Sequence, residues 1–150
     1  MEIILQLLMA FLGAMGFALL FNARRNRILP ASLGGLFEWG IYLLCANYIG
    51  GGFVPGLIAS AFSAIYAEVL ARYYKAPATV FFIPAVVPLI PGGSLYYTMS
   101  YTVQEEWALA REFGFTTAQC ALSISVGISF VWSANHMLHS IFKRKISNKL

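Results

Sequence analysis

The chain has 150 residues and a formal net charge of +4, and 59% of its residues are hydrophobic while only 11% are charged. Soluble domains carry about 25% charged residues, so this composition excludes an ordinary water-soluble enzyme. The basic residues lie in short segments between apolar runs rather than on one soluble face, which excludes a nucleic-acid-binding protein as well.

Five apolar stretches reach the roughly 20 residues that a transmembrane helix needs. They cover residues 3–21, 31–49, 53–74, 79–103 and 115–138. Little of the chain remains for a domain outside the lipid bilayer. We therefore predict an all-α integral membrane protein with five transmembrane helices, which form a single domain over residues 1–150.

The basic residues predict the orientation of the spans, because short cytoplasmic loops collect Lys and Arg. Three clusters follow the first, third and fifth spans: Arg24, Arg25 and Arg27; Arg72 and Lys75; and Lys143, Arg144, Lys145 and Lys149. Five crossings place all three clusters on one side. The sequence thus predicts an N-terminus outside and a cytoplasmic C-terminus.

Two spans carry small or polar residues at every fourth position. These are Gly56, Ser60 and Ala64 in the third span, and Ser125, Ser129 and Ser133 in the fifth. Residues four apart share one helix face, and small residues there let two helices pack closely in lipid. We expect the first stripe to contact protein, and the serines either to bond across helices or to line a wet cavity.

The fourth span is interrupted by the segment FFIPAVVPLIPGGSLYYTM, residues 81–99. Pro84, Pro88 and Pro91 fall within eight residues, and Gly92 and Gly93 follow directly. Each proline removes a backbone donor and clashes with the carbonyl four residues earlier. The pattern predicts a helix that opens at residues 91–93, near the middle of the bilayer.

An open helix leaves backbone groups that lipid cannot satisfy, so it must border protein or a water-filled cavity. Secondary transporters hold substrate at such interrupted helices, where the positive end of a half-helix attracts anionic groups. Ser94, Tyr96 and Tyr97 follow the break and can add hydroxyl contacts to a substrate. The alternative is a kinked helix that only packs against its neighbours.

Two acidic residues within the spans are candidates for proton coupling. Glu38 is predicted about 10 Å into the second span by helix rise, where a carboxyl group is costly and marks function by default; alternatively, it is only hydrogen-bonded within the bundle. Glu68 either forms an ion pair with Arg72, one helical turn away, or has a coupling or gating role. No catalytic or metal-binding pattern is present, so we predict no enzymatic activity, no metal and no cofactor.

Three segments resemble a known family. The core PLIPGGSLY of residues 81–99 resembles the signature of the threonine/serine exporter family, in particular its small membrane subunit of about 150 residues, which corresponds to the exporter's C-terminal half. The stretches FALLFN, residues 17–22, and AEVLARYYKAPATVF, residues 67–81, are similar to the family in the same order. The resemblance covers most of the chain.

The resemblance implies export of threonine and serine, or of dicarboxylates such as succinate, across a bacterial or archaeal plasma membrane. It also implies a larger membrane subunit as partner, matching the exporter's N-terminal half. The resemblance implies that the substrate-binding residues are Pro88, Pro91, Gly92, Ser94 and Tyr96. It also implies a functional role for Glu68. Gly93, Tyr97 and Glu38 are candidates from the sequence pattern alone.

We therefore predict a membrane subunit of a two-component secondary exporter of small polar metabolites, driven by the proton gradient. A homo-oligomer is also compatible with the sequence. Two alternatives remain open. One is a non-transporting scaffold that stabilises the membrane domain of a partner. The other is a small self-sufficient multidrug-type transporter that uses a membrane glutamate.

Overall fold

A computed structural model describes the backbone of residues 2–147 and the side chains of residues 2–137. Lys149, and the side chains of the other basic residues predicted after the last span, lie outside these described residues. The described backbone is helical apart from its turns and contains no strand, as the composition predicts.

Six helices and one short 3₁₀ helix make up the described chain. They are α1 (Glu2–Leu20), α2 (Arg25–Ile49), α3 (Phe53–Tyr74), α4 (Thr79–Val86), the 3₁₀ helix (Val87–Leu89), α5 (Gly92–Val103) and α6 (Trp107–Ser147). Four of them, α1, α2, α3 and α6, are long and apolar enough to cross a membrane. The segments Thr79–Leu89 and Gly92–Val103 add a fifth span if the bent pair is counted as one.

Two helices begin earlier than the predicted spans. α2 begins at Arg25 rather than at residue 31, and α6 begins at Trp107 rather than at residue 115. The apolar runs mark only the part of a helix that lipid can cover, whereas the helix itself continues into the polar interface. Arg25 and Arg27 therefore belong to the first turn of α2 and not to a loop.

Consecutive long helices run antiparallel from α1 to α3. The Trp39 indole of α2 donates to the Gln6 amide oxygen of α1 at 3.4 Å, near the start of α1. The Tyr66 hydroxyl of α3 donates to the Pro30 carbonyl of α2 at 2.8 Å, which joins the late part of α3 to the early part of α2. The first three helices thus form an up-down-up unit.

α6 runs parallel to α3 and antiparallel to both halves of the interrupted segment. Its Cys120 thiol donates to the Leu89 carbonyl at 3.4 Å, whereas Trp132, further along α6, packs against Phe82 of α4. Phe113, near the beginning of α6, packs against Tyr101, near the end of α5. Because both α4 and α5 run antiparallel to α6, the chain keeps one general direction through the bend between them.

The turns that carry the first two basic clusters and the turn that carries Glu105 and Glu106 lie at opposite ends of the bundle. The α1–α2 turn lies beside the end of α3, where the Arg27 guanidinium reaches the Tyr74 carbonyl at 3.5 Å. The opposite end holds the turn between α5 and α6 with Glu105 and Glu106. The first two predicted basic clusters are therefore at the same end of the molecule.

Small residues bring α3 and α6 into close contact. Gly56, Ser60 and Ala64 of α3 are buried, which confirms that this face contacts protein. The Ser60 hydroxyl lies within hydrogen-bond range of the Ser123 carbonyl at 3.4 Å, and Gly127 of α6 packs directly on Ser60. The absence of a side chain at Gly127 is what lets the two backbones approach.

The predicted serine stripe of α6 does not make this contact. Ser125, Ser129 and Ser133 are exposed on the described chain. The Ser125 hydroxyl donates to the Ala121 carbonyl of its own helix at 2.8 Å, so it needs no partner on another helix. Of the two alternatives, bonding to another helix of the described chain is not seen for these serines, because α6 turns the face with Gly127 toward α3.

Replacing Gly127 with alanine should loosen the α3–α6 contact. The new Cβ would contact the Ser60 hydroxyl and lie 2.8 Å from the Leu57 carbonyl oxygen, and such overpacking costs about 1–3 kcal/mol. Thermal unfolding in detergent should show a lower midpoint for Gly127→Ala. Gly13→Ala is the matched control, since no atom lies within 4 Å of its Cβ position, and its midpoint should stay the same or rise. Equal midpoints for the two variants would contradict the close contact.

Candidate functional site

The interrupted segment opens immediately before the glycine pair. α4 gives way to the 3₁₀ helix at Val87, and Ile90 adopts an extended backbone with φ −62° and ψ 125°. A residue that precedes proline is pushed out of the helical region in this way, so Pro91 sets the position of the break. The predicted opening at residues 91–93 is therefore displaced, since Gly92 and Gly93 form the first turn of α5. The two halves are bent by 53°.

The start of α5 carries amides without a side-chain cap. Pro91 occupies the N-cap position, and no side chain caps the helix there. The Gly92 amide donates to the Ile90 carbonyl at 2.8 Å and the Leu95 amide donates to the Pro91 carbonyl at 3.0 Å. The amides of Gly93 and Ser94, between them, belong to the group that a helix leaves unpaired at its start. The break lies about 16 Å along the segment from Thr79 by helix rise, which is about half the thickness of a bilayer core.

A cavity of about 220 Å³ lies beside the break. We call it the break cavity. The interrupted segment contributes Pro88, Leu89, Ile90, Pro91 and Ser94 to its wall. The remaining wall consists of Trp39, Tyr42, Gly52, Thr116, Gln119 and Cys120, from α2, the α2–α3 turn and α6. Of the predicted substrate-binding residues, Pro88, Pro91 and Ser94 are thus brought together around one space.

The other predicted binding residues lie away from this cavity. Gly92 and Gly93 are exposed, and no atom lies within 4 Å of either Cβ position. Tyr96 is 66% exposed. Tyr97 packs its ring against Phe113 of α6 with centroids 5.3 Å apart. Successive residues of a helix point in different directions, so only Ser94 of this group faces the break cavity.

Sequence reasoning missed the part of the wall that α6 supplies. Thr116, Gln119 and Cys120 are spaced three and four apart and therefore share one helix face. That polar spacing was a signal available in the sequence. The Cys120 thiol also donates to the Leu89 carbonyl, so α6 provides a hydrogen bond to the backbone that the break exposes.

Glu38 is fully buried and lies deeper in its helix than predicted. It stands about 20 Å from Arg25 by helix rise, rather than about 10 Å from the start of the span, because α2 begins at Arg25. One turn before it, Gly34 makes room for the interrupted segment, since a Cβ on Gly34 would lie 2.9 Å from the Ala85 Cβ. Gly35 makes room for α1, since a Cβ on Gly35 would lie 2.6 Å from the Ala14 Cβ.

The Glu38 carboxyl group has unused hydrogen-bonding capacity. Neither of its oxygens has a hydrogen-bond partner among the described residues, and the buried Ser63 hydroxyl of α3 has none either. The two side chains lie close enough to interact but do not complete a hydrogen bond. Burying polar groups without partners is costly, and such groups mark functional sites more often than structural ones.

Glu68 belongs to a different region. It is half-buried and lines a cavity of about 330 Å³ between α3 and α6, together with Arg72, Phe130 and Asn135. The Arg72 guanidinium donates to the Asn135 amide oxygen at 2.7 Å. The structure therefore places Glu68 at an α3–α6 cleft toward the basic end, away from the break cavity.

Water in the break cavity can be detected by cysteine labelling. In a variant without Cys45 and Cys120, we expect Ser94→Cys to react with a small, membrane-impermeant thiol reagent, because thiolates form only in contact with water. Ser129→Cys is the control, since it is exposed on the outer face of α6. It should react much more slowly in a bilayer. Equal protection of both cysteines would contradict a wet cavity at the break.

One comparison identifies the family. A family model described as "Threonine/Serine exporter, ThrE" matches residues 6–134, a range that includes the break, Glu38 and nearly all of the described bundle. No curated protein and no solved structure gives a match to this chain. The match extends over most of the sequence, and its exporter description agrees with a multi-pass bundle of apolar helices. The chain belongs to the threonine/serine exporter family.

Proposed function

We propose that this chain is the small membrane subunit of a two-component secondary exporter, and that the proton gradient drives it. Its solutes are small polar metabolites, namely threonine and serine or dicarboxylates such as succinate, and its location is the plasma membrane of a bacterium or archaeon. The observation that carries the proposal is the break itself. An uncapped half-helix beside a cavity of about 220 Å³ is an arrangement that binds and passes solutes.

The chemistry of the break favours a solute with a carboxylate group. The amides at the start of α5 carry a partial positive charge and can donate to an anion. The cavity is smaller than the roughly 300–1,000 Å³ of sites for drug-sized ligands, so it suits a metabolite of a few carbons. Ser94 and Gln119 supply side-chain polar groups within the same wall.

Five spans with a cytoplasmic C-terminus fit this function best. α4 and α5 both run antiparallel to α6, which supports a single broken span rather than a re-entrant loop. The end that carries Arg24, Arg27 and Arg72 is then the cytoplasmic end, by the preference of basic residues for that side.

Glu38 is the proposed proton-carrying group. It is an acid near the level of the break, and its carboxyl group and the Ser63 hydroxyl are both without partners among the described residues. Intramembrane acids of this kind form proton relays in transporters. Glu68, in the cleft between α3 and α6, is the proposed gating residue.

The exposed surface of α5 supports the proposal of a partner subunit. α5 packs on α6 and has no buried residue of its own. Its uncapped start is near the proposed midplane, where lipid cannot satisfy backbone groups. We propose that the larger subunit, resembling the N-terminal half of the exporter, covers this side. A second copy of the chain is the alternative occupant.

The span count can be tested with single cysteines. If the interrupted segment crosses the membrane, Lys75→Cys should react only with reagent on the cytoplasmic side and Glu105→Cys only with reagent on the outside. A re-entrant loop would place both on the same side. Labelling intact cells and inverted vesicles with one impermeant reagent distinguishes the two topologies, with permeabilised cells as the control that both sites can react.

Glu38→Gln separates proton coupling from solute passage. In vesicles that contain the chain and its partner, the variant should lose proton-driven transport against a threonine, serine or succinate gradient by at least about tenfold. Exchange of solute for solute should persist, because the amide preserves the shape of the side chain. Glu112→Gln, an exposed acid of α6, is the control and should behave as the unaltered protein.

Three results would each overturn a part of the proposal. Unchanged uphill transport by Glu38→Gln would remove Glu38 from the coupling step. Transport by the partner alone, with this chain needed only for the partner's abundance, would favour a scaffold. Activity of the purified chain by itself would instead favour a self-sufficient transporter of the multidrug type.

A further inference from the structure

A second cavity, of about 330 Å³, lies at the basic end of the bundle. We call it the basic-end cavity. It is enclosed by the α1–α2 turn and the first turns of α4, and its wall includes Asn22, Arg24, Arg27, Thr79 and Pro84. No acidic residue contributes to the wall. Its lining therefore carries two positive charges without a compensating negative charge.

The two arginines retain capacity to bind an anion. Arg27 makes one long hydrogen bond, from Nη2 to the Tyr74 carbonyl at 3.5 Å, and its buried Nε has no partner among the described residues. Arg24 lines the cavity with an exposed side chain. Guanidinium groups bind carboxylates through paired, charge-assisted hydrogen bonds, and here the described chain offers them no carboxylate of its own.

The basic-end cavity is adjacent to the break along the interrupted segment. Pro84 lies in its wall and Pro88 lies in the wall of the break cavity. These prolines are four residues apart, so they share a helix face at a separation of about 6 Å. A third cavity, of about 280 Å³ beside α1, includes Val87 and Pro88, so it shares Pro88 with the break cavity.

We propose that the basic-end cavity is the cytoplasmic entry site of the exporter, where Arg24 and Arg27 bind the carboxylate group of the solute before it moves past Pro84–Pro88 to the break cavity. This inference rests on the proposed function. The prolines make the intervening turn easier to deform, because each removes a hydrogen bond of the helical ladder.

The arginines can be tested by neutral substitution. We expect Arg24→Gln and Arg27→Gln each to raise the cytoplasmic solute concentration for half-maximal efflux about tenfold, since each removes a charge-assisted hydrogen bond. The maximal rate should change much less. Arg25→Gln is the matched control. It removes the same charge from the same helix turn, but Arg25 does not line the cavity, so its half-saturating concentration should stay the same.

A measurement of solute binding tests the entry site independently of transport. We expect succinate or threonine to raise the melting temperature of the purified protein in detergent, and this shift to be lost in Arg24→Gln but kept in Arg25→Gln. That result would support the entry site even if the protein transported nothing. Arg24 is exposed, so Arg24→Gln should leave the fold intact. It therefore tests the entry site even if Arg27→Gln fails to fold.

Two outcomes would overturn the inference. One is that Arg24→Gln and Arg27→Gln match Arg25→Gln in both measurements while Ser94→Ala impairs efflux, which would leave the proposed function in place without the entry site. The other is stabilisation by phosphatidylglycerol and not by either carboxylate, with loss in Arg24→Gln. The cavity would then bind a lipid phosphate rather than a solute.

Discussion

The arrangement depends on one constraint: backbone amides and carbonyls inside a bilayer must have hydrogen-bond partners. Pro91 and the extended Ile90 end the helical ladder, which leaves backbone groups to satisfy at about half the depth of the bilayer. The Cys120 thiol satisfies the Leu89 carbonyl from α6. The Gly92 amide donates to the Ile90 carbonyl, which leaves the amides of Gly93 and Ser94 at the start of α5 without such a bond.

Small residues position the break within the bundle. Gly34 allows α4 to lie against α2, because a Cβ there would lie 2.9 Å from the Ala85 Cβ, and Gly35 allows α1 to do so, because a Cβ there would lie 2.6 Å from the Ala14 Cβ. The same close approach buries Glu38 one turn further along α2. Ser60 and Gly127 hold α6 against α3, so that the polar face of α6 meets the break from the other side. Packing of small residues thus brings an acid, a cavity and an interrupted helix to a common level.

The sequence predicts the features that follow from local chemistry. It predicts the apolar spans, the interruption by Pro88 and Pro91, and the protein-facing stripe through Ser60. It does not predict helix rotation, which decides that Ser94 faces the cavity while Tyr96 points away, because rotation depends on tertiary packing. For the same reason it does not show that α6 packs on α3 through Gly127. Helix ends were also misplaced, since the apolar run beginning at residue 31 says nothing about the polar turn that starts at Arg25.

Hydrogen exchange in lipid nanodiscs tests the central claim most directly. With the exporter assembled, the amides of Gly93 and Ser94 should exchange quickly, while those in the middle of α3 stay protected. Addition of a transported solute should slow exchange at Gly93 and Ser94 only. Protection of these amides equal to that of α3, unchanged by any solute, would show that the break borders neither water nor substrate, and would contradict the role assigned to it.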